Sequence, residues 1–177
     1  YSPAPLPAGR RALKNLALAY LIAGDEALVI GAEPLTEAAK RSVAVTNLLT
    51  TGAKAPGTSA QSHAKAQALQ QFDKATNMTD RLAAFSTIVH EAPSSVAFEV
   101  IHRFYETWQH DALVVDKWFG VQATSPKATV AIIQALMAHP AFTLRNPNRA
   151  RAVIFMFCLG NPNGLHAEDG SGYRFWA

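Results

Sequence analysis

The sequence predicts an all-α chain of stacked helical hairpins, on three observations. Apolar residues recur with the 3.6-residue period of a helix in several separate stretches. No stretch sustains the alternation of a strand, and Asp169-Gly170 is flanked by polar residues that argue against a β-hairpin. Ser-Pro and Asn-Pro pairs stand where helices should begin. No motif repeats at a fixed period, so a solenoid built from these hairpins is irregular.

The elements follow in order. Leu13, Leu16, Ala17, Tyr20 and Leu21 form one apolar stripe on a first helix over 10–21. Met78, Leu82, Phe85 and Val89 form the next. Ile101, Phe104, Tyr105 and Trp108 define a third, and Val114, Val115, Trp118 and Phe119 a fourth after a short break. Ile133, Leu136 and Met137 mark a fifth, and Ala150, Val153, Ile154, Phe157 and Cys158 a sixth. Ser125-Pro126 and Asn146-Pro147 each offer an N-cap residue with proline at the first helical position, where its missing N–H costs nothing; Asn161-Pro162 is a third such start. Helices of about 10 to 17 residues with short links are expected between these signals.

Two segments depart from this rhythm. Thr50 to Ala60 is rich in Gly, Pro, Ser and Thr and reads as an exposed loop, a flexible insertion. Asn161 to Tyr173 carries three glycines but reads as an ordered turn, anchored by Leu165, Tyr173, Phe175 and Trp176. Trp108, Trp118 and Trp176 are expected as core anchors.

With 177 residues, 49% hydrophobic and 16% charged, the chain is long enough for a sizeable core, and a single domain over 1–177 is expected. The charged fraction is low, which suggests that part of the surface is covered. A net charge of +3 does not argue for a nucleic-acid partner. No apolar run reaches the roughly 18 to 20 residues that cross a bilayer, so no membrane partner is expected. Cys158 is the one cysteine, sits in an apolar run and reads as a buried thiol, which favours a reducing, cytoplasmic setting. Tyr1 at one end and Arg174-Phe175-Trp176-Ala177 at the other read as ends cut from a longer polypeptide.

A search for chemistry finds no catalytic constellation. The nearest approach to His-Glu-x-x-His is His90-Glu91-Ala92-Pro93-Ser94, with serine at the second ligand position and a proline that breaks the helix. His63, His102, His110, His139 and His166 have no ligand spacing, and each reads as a surface or helix-end residue. His166-Ala167-Glu168-Asp169 gathers three potential ligands, although capping and turn hydrogen bonds explain them more simply. There is no Gly-x-Ser-x-Gly elbow and no phosphate-binding loop. Arg145, Arg149 and Arg151 cluster around a helix start, where cations are unfavourable unless compensated. The simpler expectation is a carboxylate from elsewhere in the fold; the functional one is a bound peptide carboxylate.

Several strings together carry a family resemblance. They are Asn77-Met78-Thr79-Asp80; Trp108 to Phe119 followed by Gln122-Ala123-Thr124-Ser125-Pro126; Phe142 to Arg151; and His166 to Tyr173. In this order, over about 75–177, they resemble the C-terminal helical domain of bacterial aminopeptidase N enzymes, zinc alanyl aminopeptidases of the gluzincin class. The first helix matches loosely, and about 34–66 departs from the pattern like an insertion.

The resemblance implies an armadillo- or HEAT-like superhelix, a non-catalytic part of an enzyme that removes N-terminal residues from peptides with one zinc ion. That zinc and the catalytic residues belong to an upstream catalytic domain, the partner in the same polypeptide, and none falls on this chain. The resemblance further implies that this domain encloses a chamber for short peptides, with Arg149 and Arg151 in the region facing it. Apolar surface left uncovered in such a piece predicts self-association. A second reading is a free-standing helical-repeat scaffold that binds peptides or nucleic acid on a concave face.

Overall fold

The computed structural model describes residues 4–30 and 58–177, and every regular element among them is helical. Contacts gather residues 1–87 and 88–177 into two compact units, each described by itself, where the sequence suggested one domain. The Gly/Pro/Ser/Thr-rich stretch from Thr50 lies outside the described residues as far as Gly57, as does most of the 34–66 departure. Thr58–Ala60 are helical, so the expected loop ends earlier.

In the first unit, α1 (Pro5–Ile30) packs on α2 (Thr58–Lys74), and α3 (Met78–Glu91) begins there. Helix α1 starts five residues ahead of the expected Arg10, because prolines at positions 5 and 7 are tolerated in a first turn. Its buried face is not the expected stripe. Leu18 and Ile22 are buried, whereas Leu13 (68% exposed), Leu16, Tyr20 and Leu21 face outward.

A polar anchor on α3 accompanies this arrangement. Asp80 accepts from Lys14 Nζ (3.1 Å), Asn15 Nδ2 (3.1 Å) and Asn77 Nδ2 (3.2 Å), while its own amide donates to Asn77 Oδ1 (2.9 Å). The last bond caps the start of α3, and the Asn77–Asp80 side-chain bond braces it. The first two tie α1 to α3 on the side where Leu18 and Ile22 are buried, with Lys14 itself half exposed. Phe72 and Phe85 complete the core, with ring centroids 6.3 Å apart.

The second unit holds the end of α3, α4 (Ser94–Trp108), α5 (Ala112–Ala123) and α6 (Val130–Met137). Next comes α7, a continuous run of Pro147–Ala150, a π-type turn at Arg151–Phe155, and Met156–Gly160. Two short helices, α8 (Pro162–Leu165) and α9 (Ser171–Trp176), close it. These lengths, from 26 residues down to four, are broader than the expected 10 to 17.

Helix α5 is the centre of this unit. Asp111 caps it by accepting from Leu113 N (3.0 Å) and Val114 N (3.2 Å). Val114, Val115, Trp118 and Phe119 are all buried, as their spacing predicted. Around them close Val100 and Phe104 of α4, Ile133 and Leu136 of α6, and Val153 and Phe157 of α7. Trp118 donates its indole N–H to Ile101 O at 2.9 Å, which satisfies the one polar atom the ring buries.

Two sequence expectations change here. Ser125-Pro126 opens a single turn, with Ala128 N bonded to Ser125 O (2.9 Å), and α6 starts later with Thr129 as its cap. Ser125 is buried, and its Oγ accepts from Lys127 N (3.4 Å), so it caps that single turn rather than α6. Trp176 is 60% exposed and does not anchor the core; Phe175 does, meeting Phe157 edge-on at 5.7 Å. Asn146 and Asn161 cap α7 and α8 with proline following, as expected.

The α8–α9 turn is held by close packing. Asn161, almost fully buried, donates to Ser125 O and Ala128 O (2.8 Å each) and accepts from Gly164 N (2.9 Å). Gly164 and Gly172 lie where a side chain would strike backbone carbonyls, and Gly170 takes φ +69°.

Candidate functional site

The arginine cluster is built from the start of α7. Asn146 Oδ1 accepts from Asn148 N (3.0 Å) and Arg149 N (3.4 Å), with Pro147 preset for the first turn. This start sends Arg149 inward. Its Nε donates to Asp116 of α5, Nη1 to Ala141 O, and Nη2 to Ala112 O (3.3 Å); its guanidinium carbon lies 5.2 Å from the centroid of the Phe119 ring. Arg149 is only 6% exposed, so every guanidinium nitrogen is engaged within the fold.

Asp116 is thus the compensating carboxylate that the simpler sequence reading required for a cation near a helix N-terminus. Arg151, two residues on, is exposed and makes no ion pair or side-chain hydrogen bond among the described residues. The structure therefore separates the two candidate chamber residues, one inside and one outside. Arg145 is also exposed.

Arg151 opens the π-type turn. Wider bonding there inserts extra backbone into one turn and shifts which residues face inward. Val153, Phe157 and Cys158 are buried, while Phe155, Met156 and Leu159 stand exposed beyond Arg151. Burial pushes the Cys158 thiol above its ordinary pKa, in keeping with an inert buried cysteine.

Beside Arg149, just past the end of α6 as its reading as a helix-end residue expected, lies a half-buried histidine. His139 is ringed by Tyr105, Trp118 and Phe119, with centroids at 4.8, 5.2 and 5.7 Å. Its Nδ1 accepts from Ala141 N at 3.1 Å. Burial, with the charge of Arg149 added, holds its pKa below the ordinary value. The only sequence hint was the aromatic stripe of α5, which does not say what it surrounds.

The other histidines are dispersed. His90 Nε2 is bonded to Val121 O (2.9 Å), His102 stacks on Phe98 (4.9 Å), and His166 Nδ1 meets Tyr173 Oη at 2.5 Å. Asp169 takes the Ser171 amide (2.9 Å), and the bonds from Ser171 hold its carboxyl below the usual range. The His166–Asp169 string is thus occupied with ring and turn contacts. The donor set around His90 does not fit zinc either: Ser94 begins α4, and the imidazole is turned to a backbone carbonyl.

Asp80 was missed as an anchor, although Asn77 followed three residues later by Asp80 is a legible capping signal. Burial would raise its pKa, but the bonds from Asn15, Asn77 and Lys14 prevail and hold it below the ordinary value.

A family model for a domain of unknown function built of ARM repeats, DUF3458_C, matches residues 34–177. Aminopeptidase N of Escherichia coli (strain K12) is 46% identical over 107 residues, covering 60% of this chain and 12% of that protein. Aminopeptidase N of Haemophilus influenzae is 45% identical over the same length and the same shares. The chain therefore spans about an eighth of these relatives. A crystal structure of Legionella pneumophila aminopeptidase A in complex with aspartic acid superposes with a TM-score of 0.59 at 31% identity, over 64% of this chain and 13% of that one. ARM repeats agree with the helical solenoid class expected of the sequence.

Proposed function

The chain belongs to the DUF3458_C family of ARM-repeat domains, and on that premise we propose that it is the non-catalytic C-terminal domain of a zinc-dependent aminopeptidase, enclosing the chamber in which short peptides are held. The observation that carries this reading is the identity of 46% over 107 residues to aminopeptidase N. Among the described residues no group of donors fits zinc; in this reading the metal and the hydrolytic chemistry sit in an upstream catalytic domain of the same polypeptide.

The contribution of this segment is steric and electrostatic. A helical wall excludes water and folded proteins from the reacting bond. Arg151 offers a guanidinium to the carboxylate of a bound peptide, a match that suits a planar fork of N–H donors. Arg149 positions it: locked to Asp116, Ala141 and Ala112, it fixes the first turn of α7, from which Arg151 projects two residues later.

The test uses the native protein that carries this chain. It should release N-terminal residues from peptides of a few residues, lose the activity to a chelator, regain it with zinc, and discriminate against long polypeptides. A native protein with no such activity, or one indifferent to substrate length, would overturn the reading.

A further inference from the structure

A cavity of about 180 Å³ opens among the end of α3, α4, α5 and the turn into α6. Val89, Ala97 and Ala128 are buried in its wall, while Phe98 and Ile132 stand exposed at its mouth. Its size suits one aromatic or branched aliphatic side chain, since a cavity of about 150 Å³ accepts a benzene ring.

Polar groups converge on this apolar space. Gln122 is nine-tenths buried and donates its Nε2 to Trp118 O (3.0 Å), while its Oε1 accepts no hydrogen bond among the described residues. At the rim, α4 is capped by Pro93, which supplies no side-chain bond, and the amides of Ser94 and Ser95 have no partner within the helix. Lys127, its Nζ on Ala92 O at 2.9 Å, lies on the same rim. No carboxylate lines the cavity, and the start of α4 favours an anion at its rim.

We propose that this cavity binds the C-terminal residue of a peptide whose last side chain is apolar. The side chain fills the cavity, the free carboxylate sits at the start of α4 near Lys127, and the last peptide N–H donates to Gln122 Oε1. An apolar pocket with a few convergent polar groups is the usual form of such a site. The inference rests on the cavity alone and does not depend on the enclosing role proposed above.

The test is a titration of the full chain, followed by amide NMR, with N-acetylphenylalanine, its carboxamide and free phenylalanine. The acid should shift the Gln122 side-chain amide and the Ser94 and Ser95 amides saturably, with Kd in the range of about 1 mM. The carboxamide and the free amino acid should each bind about tenfold more weakly, the first lacking the charge and the second burying a charged ammonium where the peptide N–H would meet Gln122. Ala97→Leu, which fills the cavity, and Ser94→Asp, which sets a carboxylate at the rim, should each weaken the acid about tenfold. Ser94→Asp should keep its thermal stability, because an acidic first-turn residue suits a helix N-terminus. No saturable shift, an acid and carboxamide that bind equally, free phenylalanine binding as tightly as the acid, or a folded Ser94→Asp chain with unchanged affinity would each overturn the proposal.

Discussion

Arg149 of α7 donates its Nε to Asp116 of α5, and the guanidinium is sealed by two backbone carbonyls and the face of Phe119. One buried pair thereby joins the start of a helix to the centre of its unit. Removing one partner strands the other charge without solvent. Arg149→Ala or Asp116→Ala is expected to cost about 3–5 kcal/mol in urea unfolding. Arg149→Lys should recover only part of that, because an ammonium cannot serve three separate acceptors in one plane. An Asp116→Ala chain as stable as the parent would show the pair to be incidental.

His139 sets a pH dependence. Its folded pKa lies below the ordinary 6.5, through burial and the nearby Arg149, so the unfolded chain takes up a proton that the folded chain resists. Stability is then fully present above about pH 6.5 and is lost as pH falls through the folded pKa. Protonation at Nδ1 would also break the bond from Ala141 N. Thermal melts from pH 7.5 to 5 should show the decline, and His139→Gln should flatten it. A parent chain whose melting point ignores pH over that range would contradict the assignment.

Three glycine substitutions should act in two opposite directions. A Cβ at Gly164 would lie 2.5 Å from the Phe157 ring and 2.7 Å from Ala128 O, and one at Gly172 would meet the carbonyls of Leu165 and Gly164. Alanine at either should destabilise by about 1–3 kcal/mol, because backbone must move. Gly9, inside α1, has nothing within 4 Å of its Cβ position, and Gly9→Ala should stabilise by about 0.5–1 kcal/mol. Chemical denaturation of the three variants checks both signs.

These positions show how far local signals carry. Asn146 and Asn161 were legible as helix starts because a cap and a following proline act within one turn. Ser125-Pro126 carries the same dipeptide logic, and Ser125 Oγ does take the Lys127 amide, but the chain makes only a single turn there before α6 begins at Thr129. Leu13, Leu16 and Tyr20 make a sound amphipathic stripe, yet they stand exposed while Asp80 binds Lys14 and Asn15 and Leu18 and Ile22 are buried. Arg149 and Arg151 look alike in a string of letters. Asp116, 33 residues earlier, is what separates a buried positioning residue from an exposed one, and such a pairing has no local signature. The cavity near Gln122 was equally invisible, because its walls come from four stretches of chain.

The central claim is that the surface at Arg151 faces a bound peptide in an enclosed chamber. Its most direct measurement is kcat/KM for aminopeptidase activity of the native protein that carries this chain, with Arg151→Glu, on a free-acid tripeptide and on an aminoacyl anilide. The account predicts a loss of about tenfold or more on the tripeptide, carried mainly by KM, with the anilide unchanged. Equal losses on both substrates, or none on either, would contradict it.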